Sequence, residues 1–486
     1  MAWLADKWFL LLLLGLYTAL LAHHALVGRS KSRTLADFLV GGRKMGGLAI
    51  GLSFFATYSS TNSFVGFAGQ SYFYGLPWLL LTPFLVLSSL CAWLWVAPRL
   101  RDFTAALGSL TIPDFLGFRF QSQAVRVQAA IIVIFAGLFY MTAVFKGIAN
   151  LLEAFLNVPY WLAIVIVFTI VMLYTAVGGF ISVVKTDVVQ GLLMIFGAII
   201  LFWGIVSSSG GISALWDVRQ LPGGEKLFSW DAAIPFPLLL GILFAATIKF
   251  VAEPRQLSRF YALKDRSAVR TGLWVSTLSI LLVYFLLTPI GIYARHLITS
   301  DVKDSDLIVP TILTNPAVFH PFLGAFLLLV MVAAAMSSLD SVLLVTASTG
   351  QRDLLGLFLA PSTDRGELRQ TSILVILIAL VTAIIALNPP GGIVALTVFS
   401  GSLYAACFLP ALIFGLHWKR GSRASVTASF VAGLVCLLLW NSISPWSWLH
   451  RVFPSLLVSV LAFLVVATLT TPTHPPELPG LFDSKK

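Results

Sequence analysis

The chain is poor in cysteine and in charged side chains, and both shortages exclude classes of protein. Its 486 residues include three cysteines, Cys91, Cys407 and Cys436, each in a different apolar segment. This scatter predicts neither a disulfide framework nor a cysteine metal site. Charged residues make up 10% of the sequence and hydrophobic residues 58%, a balance that excludes an ordinary soluble domain. A helical protein that crosses a membrane many times has this composition.

Histidine is also scarce, with seven residues in the chain. The adjacent His23 and His24 would point apart on a helix, and no other pair stands at ligand spacing in an apolar segment. The apolar segments contain neither a nucleophile–base pair nor a His/Glu cluster, so we predict that the protein is not an enzyme. They also lack a repeated ring of filter residues, which argues against a channel.

Apolar runs separated by charged or Gly/Pro-rich segments predict an all-α polytopic membrane protein with about thirteen transmembrane helices. We place these spans at 8–27, 46–68, 76–97, 126–152, 160–179, 186–206, 235–255, 271–294, 321–347, 371–388, 392–416, 423–440 and 452–471.

The net charge of +11 comes from the segments between these runs, so we predict a lipid bilayer and no nucleic acid as partner. Most Lys and Arg residues fall in alternate segments, at 28–45, 98–125, 256–270, 348–370 and 417–424. Because basic loops stay in the cytoplasm, an odd number of spans places the N-terminus outside and the C-terminus inside. The membrane would be the cell inner (plasma) membrane.

Two predicted spans contain features that break a helix. Span 46–68 has the run TYSSTNS at its centre, and span 235–255 holds Lys249 and ends near Pro254. Broken helices at matching places in two five-span halves are typical of inverted-repeat transporters. We therefore predict a 5+5 inverted-repeat core. The units would be 1–45 (first peripheral helix and loop), 46–206 and 207–416 (the two repeats), and 417–486 (two terminal helices and a short tail).

The segment 321–348 carries a group of oxygens in an otherwise apolar span. Ser337, Ser338 and Ser341 share one helix face with Ala334, and Asp340 lies beside it. Hydroxyl and carboxylate groups are costly in hydrocarbon unless they bind one another, water or an ion. A cation site is one interpretation. Helix packing through small residues is the alternative, although it leaves the aspartate unexplained.

Four ordered motifs resemble the sodium/solute symporter family. They are DFLVGGRKMGG at 37–47, LYTAVGGFIS at 173–182, EPRQLSRFYALKD at 253–265 and AAAMSSLDSVLL at 333–344. Two further runs, ATYSSTNSFVGFAGQSYFYGLPWLL and SDLIVPTIL, are most similar to the pantothenate and proline branch of the family. The resemblance runs from about residue 6 to about residue 470 and implies a ten-helix core with three peripheral spans. It also implies sodium-coupled symport of a small organic solute by alternating access.

The resemblance implies a sodium ion between the second and ninth spans. Its ligands would be the carbonyl oxygens of Ala56, Ser59 and Ala334 and the hydroxyl oxygens of Ser337 and Ser338. Neutral oxygens of this kind suit a small monovalent cation. A second ion is implied in some members, here at Asp187 with Asp340 and Ser341. The alternative is that Asp187 marks a helix start or pairs with Lys185.

The solute should bind at mid-membrane beside the broken helices. The candidate binding residues come from the second, fourth and seventh spans: Ser60, Thr61, Asn62, Ser63, Tyr140, Thr142, Lys146, Lys249 and Phe250. Phe250 stands where family members carry a gating aromatic residue.

Lys146 and Lys249 depart from the proline symporters, and each lies inside a predicted span. A bare ammonium there costs at least ~2.5 kcal/mol, so something must compensate it. One interpretation is an anionic solute, such as pantothenate, a monocarboxylate or an amino acid. Another is internal pairing, for instance with Asp340 or Glu153, or snorkelling of Lys146 to the outer surface. A third is that a lysine replaces the ion, which would make transport proton-coupled or uncoupled. A transporter-like sensor is a further alternative.

Overall fold

The computed structural model describes residues 2–31, 34–231, 233–298, 302–358, 363–473 and 482. Regular structure in these ranges is helical, apart from an isolated parallel bridge between Met45 and Leu263. The first nine helices are α1 Ala2–Lys31, α2 Leu35–Val40, α3 Gly47–Tyr58, α4 Ala68–Tyr74, α5 Leu81–Cys91, α6 Ala97–Leu107, α7 Ile112–Arg119, α8 Gln123–Leu156 and α9 Tyr160–Ser208.

The middle of the chain forms shorter helices around one long span. They are α10 Ala214–Asp217, α11 Phe236–Thr247, α12 Lys249–Ala252, α13 Pro254–Ala262, α14 Arg266–Leu287, α15 Ile290–Ala294 and α16 Ile308–Leu313. The remaining helices are α17 Pro321–Thr349, α18 Gly356–Phe358, α19 Asp364–Leu387, α20 Ile393–Leu403, α21 Leu409–His417, α22 Arg423–Ile443 and α23 Val452–Leu469. Short π-helical turns continue several of them, at Asn62–Phe67, Ala92–Val96, Gly350–Leu355 and Tyr404–Phe408.

Eleven helical stretches of the described chain are long and apolar enough to cross a membrane. Two further predicted spans coincide with the shorter apolar helices Gly47–Tyr58 and Tyr160–Met172. The all-α polytopic prediction is confirmed. The count of thirteen and the division into two repeats stay predictions.

Helix α9 contains two predicted spans and is broken at one residue, where the first of these spans ends. Helix α9 has 49 residues, and at about 1.5 Å per residue it is far longer than the ~30 Å hydrocarbon layer. Gly179 breaks it with φ 64° and ψ −176°, a conformation that glycine adopts most readily. A Cβ atom there would also lie 2.5 Å from the ring of Phe38. The double glycine of the 173–182 motif is therefore the point where the chain changes direction.

Burial distinguishes central from peripheral spans. In the most apolar part of Pro321–Phe358 and of Ile393–His417, 83% of residues are buried, against 22% in Lys7–Gly28. Helices α22 and α23 pack chiefly against each other, and each shows a mainly exposed apolar surface. Helix α17, which carries the serine-rich segment, thus lies at the centre of the protein.

The segment predicted as the cytoplasmic loop 256–270 is different in the structure. The backbone leaves the helical conformation at Glu253 (φ −80°, ψ 124°), and α13 then continues inside the protein with all of its residues buried. The next helix, α14, begins after Asp265, whose carboxylate caps it by accepting from the N–H of Ala268 at 2.7 Å. Arg255 and Arg259 are consequently internal residues.

Helix α3 approaches α14 closely at Gly47, so we expect a larger side chain at this position to destabilise the protein. A Cβ on Gly47 would lie 2.2 Å from the carbonyl oxygen of Ala268, whereas one on Gly46 would meet nothing within 4 Å. We expect Gly47→Ala to destabilise the protein by about 1–3 kcal/mol, because the backbone must move apart. Gly46→Ala is the matched control, and thermal unfolding in detergent is the measurement. Equal melting temperatures for the two variants would contradict the close approach.

Candidate functional site

The break after α3 frees backbone oxygens inside the protein. Tyr58 is the last residue of α3, and Ser59 is extended (φ −71°, ψ 125°). The N–H of Ser60, which would bond the Ala56 carbonyl in a continuous helix, instead donates to the hydroxyl of Ser63 at 3.2 Å. The last carbonyls of α3 therefore need other partners.

Two serines of α17 meet these carbonyls. The Ser337 hydroxyl lies 2.9 Å from the carbonyl oxygens of both Ala56 and Ala334. The Ser338 hydroxyl lies 2.9 Å from the carbonyl of Thr57 and 3.1 Å from that of Ser59. The structure thus brings together all five predicted sodium ligands. It adds the Thr57 carbonyl, which the sequence did not indicate.

We call these four carbonyl and two hydroxyl oxygens the oxygen cluster. Both serine side chains are fully buried. Each hydroxyl carries one proton, and one Arg255 nitrogen donates to the Thr57 carbonyl at 2.7 Å, so these side chains offer three donor hydrogens to four carbonyl oxygens. A buried group with more acceptors than donors is chemically suited to a small monovalent cation, which would bind the oxygens that lack a proton.

A second polar group, the Asp187 cluster, lies beside the first and consists of Ser53, Thr57, Asp187, Arg259 and Ser341. One Asp187 carboxylate oxygen accepts from Arg259 at 2.9 Å, from Ser53 at 2.5 Å and from Thr57 at 3.3 Å. The same Arg259 nitrogen also donates to the Ser341 hydroxyl at 2.6 Å. The suggestion that Asp187 pairs with Lys185 is therefore wrong for this carboxylate oxygen, since Arg259 holds it.

Two of the three residues predicted for a second ion share this cluster, with an arginine among them. Asp187 and Ser341 both bind Arg259, and Asp340 is buried close enough to Arg259 for electrostatic attraction. The other carboxylate oxygen of Asp187 has no hydrogen-bond partner in the described part of the chain. The hydroxyl of Ser341 also donates to the Ser337 carbonyl at 2.8 Å, so the Asp187 cluster and the oxygen cluster are adjacent.

A third group gathers positive charge around one aromatic ring. The Lys249 ammonium lies 4.8 Å from the centroid of the Tyr140 ring, and the Arg255 guanidinium carbon lies 3.8 Å from it. Glu253 accepts from Arg255 at 2.7 Å. We call Tyr140, Lys249, Glu253 and Arg255 the cationic group. All four side chains are buried, and their formal charges sum to +1.

Several polar atoms of the cationic group lack partners among the described residues. The Tyr140 hydroxyl, one Glu253 oxygen and one Arg255 nitrogen make no hydrogen bond there. No carboxylate in the described ranges lies within 4.0 Å of the Lys249 ammonium. Buried polar atoms normally find partners, so this group is prepared for a polar ligand.

Arg255 connects the cationic group to the oxygen cluster. One of its nitrogens donates to the Thr57 carbonyl at 2.7 Å, the same oxygen that Ser338 contacts. Its guanidinium face covers Tyr140 at the same time. Because one side chain contacts both groups, a movement of Arg255 in the cationic group would also change a contact of the oxygen cluster.

In the serine-rich helix break, fewer side chains are available to bind a solute than the sequence predicts, because some already bind other residues. The Ser63 hydroxyl bonds Tyr284 at 2.5 Å, and the Ser60 hydroxyl accepts from the N–H of Asn62 at 3.1 Å. The side-chain oxygens of Thr61 and Asn62 are buried without a hydrogen-bond partner in the described ranges. Thr61 and Asn62 therefore remain the better candidates for solute contact.

Two other residues that were predicted to bind the solute, Phe250 and Thr142, already contact other residues of the protein. Phe250 stacks on Phe54 with ring centroids 5.2 Å apart and lies 4.2 Å from the Tyr58 ring. It is fully buried, as a closed aromatic gate would be. The Thr142 hydroxyl donates to the carbonyl of Leu138, one turn earlier in its own helix, at 2.8 Å.

Lys146 has an acidic partner that the sequence did not suggest. Its ammonium lies 2.7 Å from Asp306 and 3.8 Å from Asp304, rather than pairing with Asp340 or Glu153. The same Asp306 oxygen accepts from the N–H of Ile393 at 3.0 Å, the first residue of α20. Burial raises the pKa of Asp306, although Lys146 acts in the opposite direction. Lys146 thus ties α8 to the loop before α16, about 9 Å along α8 from Tyr140.

The sequence reasoning missed Arg259 because it lies in the segment 256–270, which was predicted to be a cytoplasmic loop, and it gave no role to Arg255, the last residue of the predicted span 235–255. A usable signal was their spacing of four within RQLSR, which places both on one face of a helix directly after Pro254. Ser53, two turns before the helix break, was missed because a single serine in an apolar run is ordinary.

Comparison with known proteins agrees with this architecture. The sodium:solute symporter family pattern matches residues 38–433. The chain is 28% identical to the sodium/pantothenate symporter of Haemophilus influenzae over 450 residues, 91% of this chain and 92% of that protein. It is 28% identical to a sodium/proline symporter of Staphylococcus aureus over 497 residues, 98% of this chain and 94% of that protein. These relatives are named as transporters.

A solved structure shares the fold. The substrate-bound outward-open state of a Na⁺-coupled sialic acid symporter superimposes with a TM-score of 0.81 at 19% identity, covering 96% of this chain and 99% of that one. The family pattern covers most of the chain, including the broken helices and the serine-rich α17. This protein therefore belongs to the sodium:solute symporter family.

Proposed function

We propose that this sodium-coupled symporter imports a small organic anion, a carboxylate, through alternating access. The observation that carries this proposal is the Lys249 ammonium, which is buried beside Tyr140 without a carboxylate within 4.0 Å in the described chain. Glu253 pairs with Arg255, so its negative charge offsets that of Arg255 and leaves the positive charge of Lys249. A solute carboxylate would complete the charge balance.

The oxygen cluster supports sodium as the coupling ion. Sodium bound there would join α3 to α17, since the carbonyls of Ala56, Thr57 and Ser59 come from one side and Ser337 and Ser338 from the other. Sodium would thus favour the conformation in which the two helices lie close together. If the solute favours the same conformation, each ligand raises the affinity of the other.

We propose a ratio of one sodium to one solute. The Arg259 contact supports this ratio, because its guanidinium already binds the Asp187 and Ser341 oxygens that a second sodium would need. A monovalent anion and one sodium would then move together without net charge. Uptake of this kind would be driven by the sodium concentration gradient and not by the membrane potential, which contributes ~2.3 kcal/mol per net charge per 100 mV.

Orientation is part of the same proposal. We propose that the basic segments lie on the cytoplasmic side of the plasma membrane, with the N-terminus outside and the C-terminus inside. The Lys146–Asp306 pair would then lie at the outer end of the solute pathway.

Uptake by purified protein in liposomes tests the proposal directly. Radiolabelled pantothenate, proline, short monocarboxylates and sialic acid would each be supplied with an inward sodium gradient, with a proton gradient alone, or with neither. We expect at least one carboxylate without a cationic centre to accumulate only with the sodium gradient. Labelled sodium uptake should match solute uptake one to one.

Other outcomes would identify the rival mechanisms. Accumulation that follows the proton gradient and ignores sodium would show proton coupling, and equilibration under every gradient would show uncoupled transport. A solute that binds without moving would favour a sensor. Two sodium ions per solute would contradict the role of Arg259 as the resident cation at Asp187.

A further inference from the structure

A cavity of about 600 Å³, which we call the edge cavity, is lined by residues outside the groups described above. The ends of three apolar stretches enclose it: Leu76–Leu107, Arg266–Ala294 and Ile393–His417. Each stretch ends there next to a predicted cytoplasmic segment. In the orientation proposed above, the cavity would lie where the hydrocarbon layer meets the headgroups of the cytoplasmic leaflet.

The walls of this edge cavity differ in chemistry. Arg99, Arg266 and Arg270 supply positive charge to its lining. The lining also contains apolar side chains, of which Leu94 and Trp95 are 57% and 62% exposed. A ligand with an anionic head and an apolar body matches both parts of this lining.

The positive charge at this cavity is only partly neutralised. Asp102 is the acidic residue that lines it, and that carboxylate already accepts from Arg101 at 2.8 Å and lies 3.5 Å from Arg266. In the described chain no carboxylate lies within 4.0 Å of Arg99 or Arg270. Arg99 is held in place by donating to the carbonyl of Leu416 at 2.9 Å, so its charge is fixed at the cavity wall.

We propose that the edge cavity binds one anionic phospholipid, with its phosphate on the arginines and its acyl chains against Leu94 and Trp95. A soluble phosphate would gain nothing from the exposed apolar wall, whereas a lipid reaches the cavity directly from the membrane. Basic pockets between helix ends on the cytoplasmic side are suited to such headgroups. This site is independent of the solute and sodium proposals.

Native mass spectrometry of the full chain in detergent tests the site with phosphatidylglycerol and phosphatidylcholine of the same acyl chains. We expect wild-type protein to retain one phosphatidylglycerol in preference to phosphatidylcholine. The triple variant Arg99→Gln, Arg266→Gln and Arg270→Gln should bind it about a hundredfold more weakly, since each basic residue near a membrane surface contributes a several-fold factor.

A matched control removes the same charge elsewhere. Arg369, Arg420 and Arg423 are exposed arginines outside the cavity, and their triple glutamine variant should bind like wild type. Arg270→Gln alone, at an exposed position, should weaken binding about fivefold even if the triple variant misfolds.

Three results would overturn the proposal. If Arg270→Gln and the triple variant both retain phosphatidylglycerol as wild type does, the arginines do not bind the lipid. Equal retention of phosphatidylcholine would show that charge is not recognised. Displacement of the lipid by millimolar inorganic phosphate or glycerol phosphate would show a site for a soluble anion.

Discussion

Replacing both Ser337 and Ser338 by alanine is expected to reduce sodium-driven uptake about a hundredfold or more. The double variant removes both hydroxyls that contact the four carbonyl oxygens of the oxygen cluster, of which the Thr57 carbonyl keeps its hydrogen bond from Arg255. Each buried acceptor left without a partner costs about 1–3 kcal/mol, and sodium loses two ligands as well. The initial uptake rate at increasing sodium concentration is the measurement, and half-saturation should move beyond the accessible range.

Thermal unfolding gives a second measurement for the same variant that does not require the solute to be known. Sodium bound to the folded protein should raise the melting temperature, while potassium should not. The double variant should lose this sodium effect. Ser348→Ala is the matched control, since Ser348 is also buried on α17 and donates only to the Val345 carbonyl of its own helix, at 3.0 Å. A double variant that sodium still stabilises as it does wild type would place the ion elsewhere.

Replacing Lys249 by methionine is expected to weaken binding of the anionic solute at least about 30-fold. Truncating one partner of a buried charge pair costs about 2–5 kcal/mol, and methionine keeps the length of the side chain without the ammonium. The same change should raise the thermal stability of the solute-free protein, because it removes a buried cation that no carboxylate of the described residues contacts within 4.0 Å. Solute binding and thermal unfolding are measured on the same preparation.

The combination of weaker binding and higher stability separates a solute-binding lysine from a structural one. Lys264→Met serves as the control, because Lys264 is exposed and lies 3.8 Å from Asp265 at the surface. It should change neither quantity. A Lys249→Met protein that melts lower and still binds the solute would show that Lys249 stabilises the fold through Glu253 instead.

Residues within one helix were largely predictable from the sequence. Ser337, Ser338 and Ser341 had to share a face of α17, because their spacing follows the helical period. The break near Ser59 was also predictable, since a run of small polar residues in an apolar span offers the backbone alternative hydrogen bonds. These features needed no knowledge of how distant segments pack.

Pairs between distant helices were not predictable in the same way. Arg259 and Asp187 are 72 residues apart, and Lys146 and Asp306 are 160 residues apart. A single sequence shows which charged residues are present, but it does not show which of them form ion pairs in the folded protein. The rule that places arginine in cytoplasmic loops also gave a wrong location for Arg259, because the rule applies to loops at the membrane surface and not to a buried helix that follows a break.

The position of Arg255 limits how this transporter can diverge or be redesigned. The same guanidinium covers Tyr140 in the cationic group and holds the Thr57 carbonyl of the oxygen cluster. A substitution there that adapts the protein to a new solute would also alter its affinity for sodium. New solute preferences are therefore accessible first through Lys249 or Thr61, which do not contact the oxygen cluster through a hydrogen bond in the described chain.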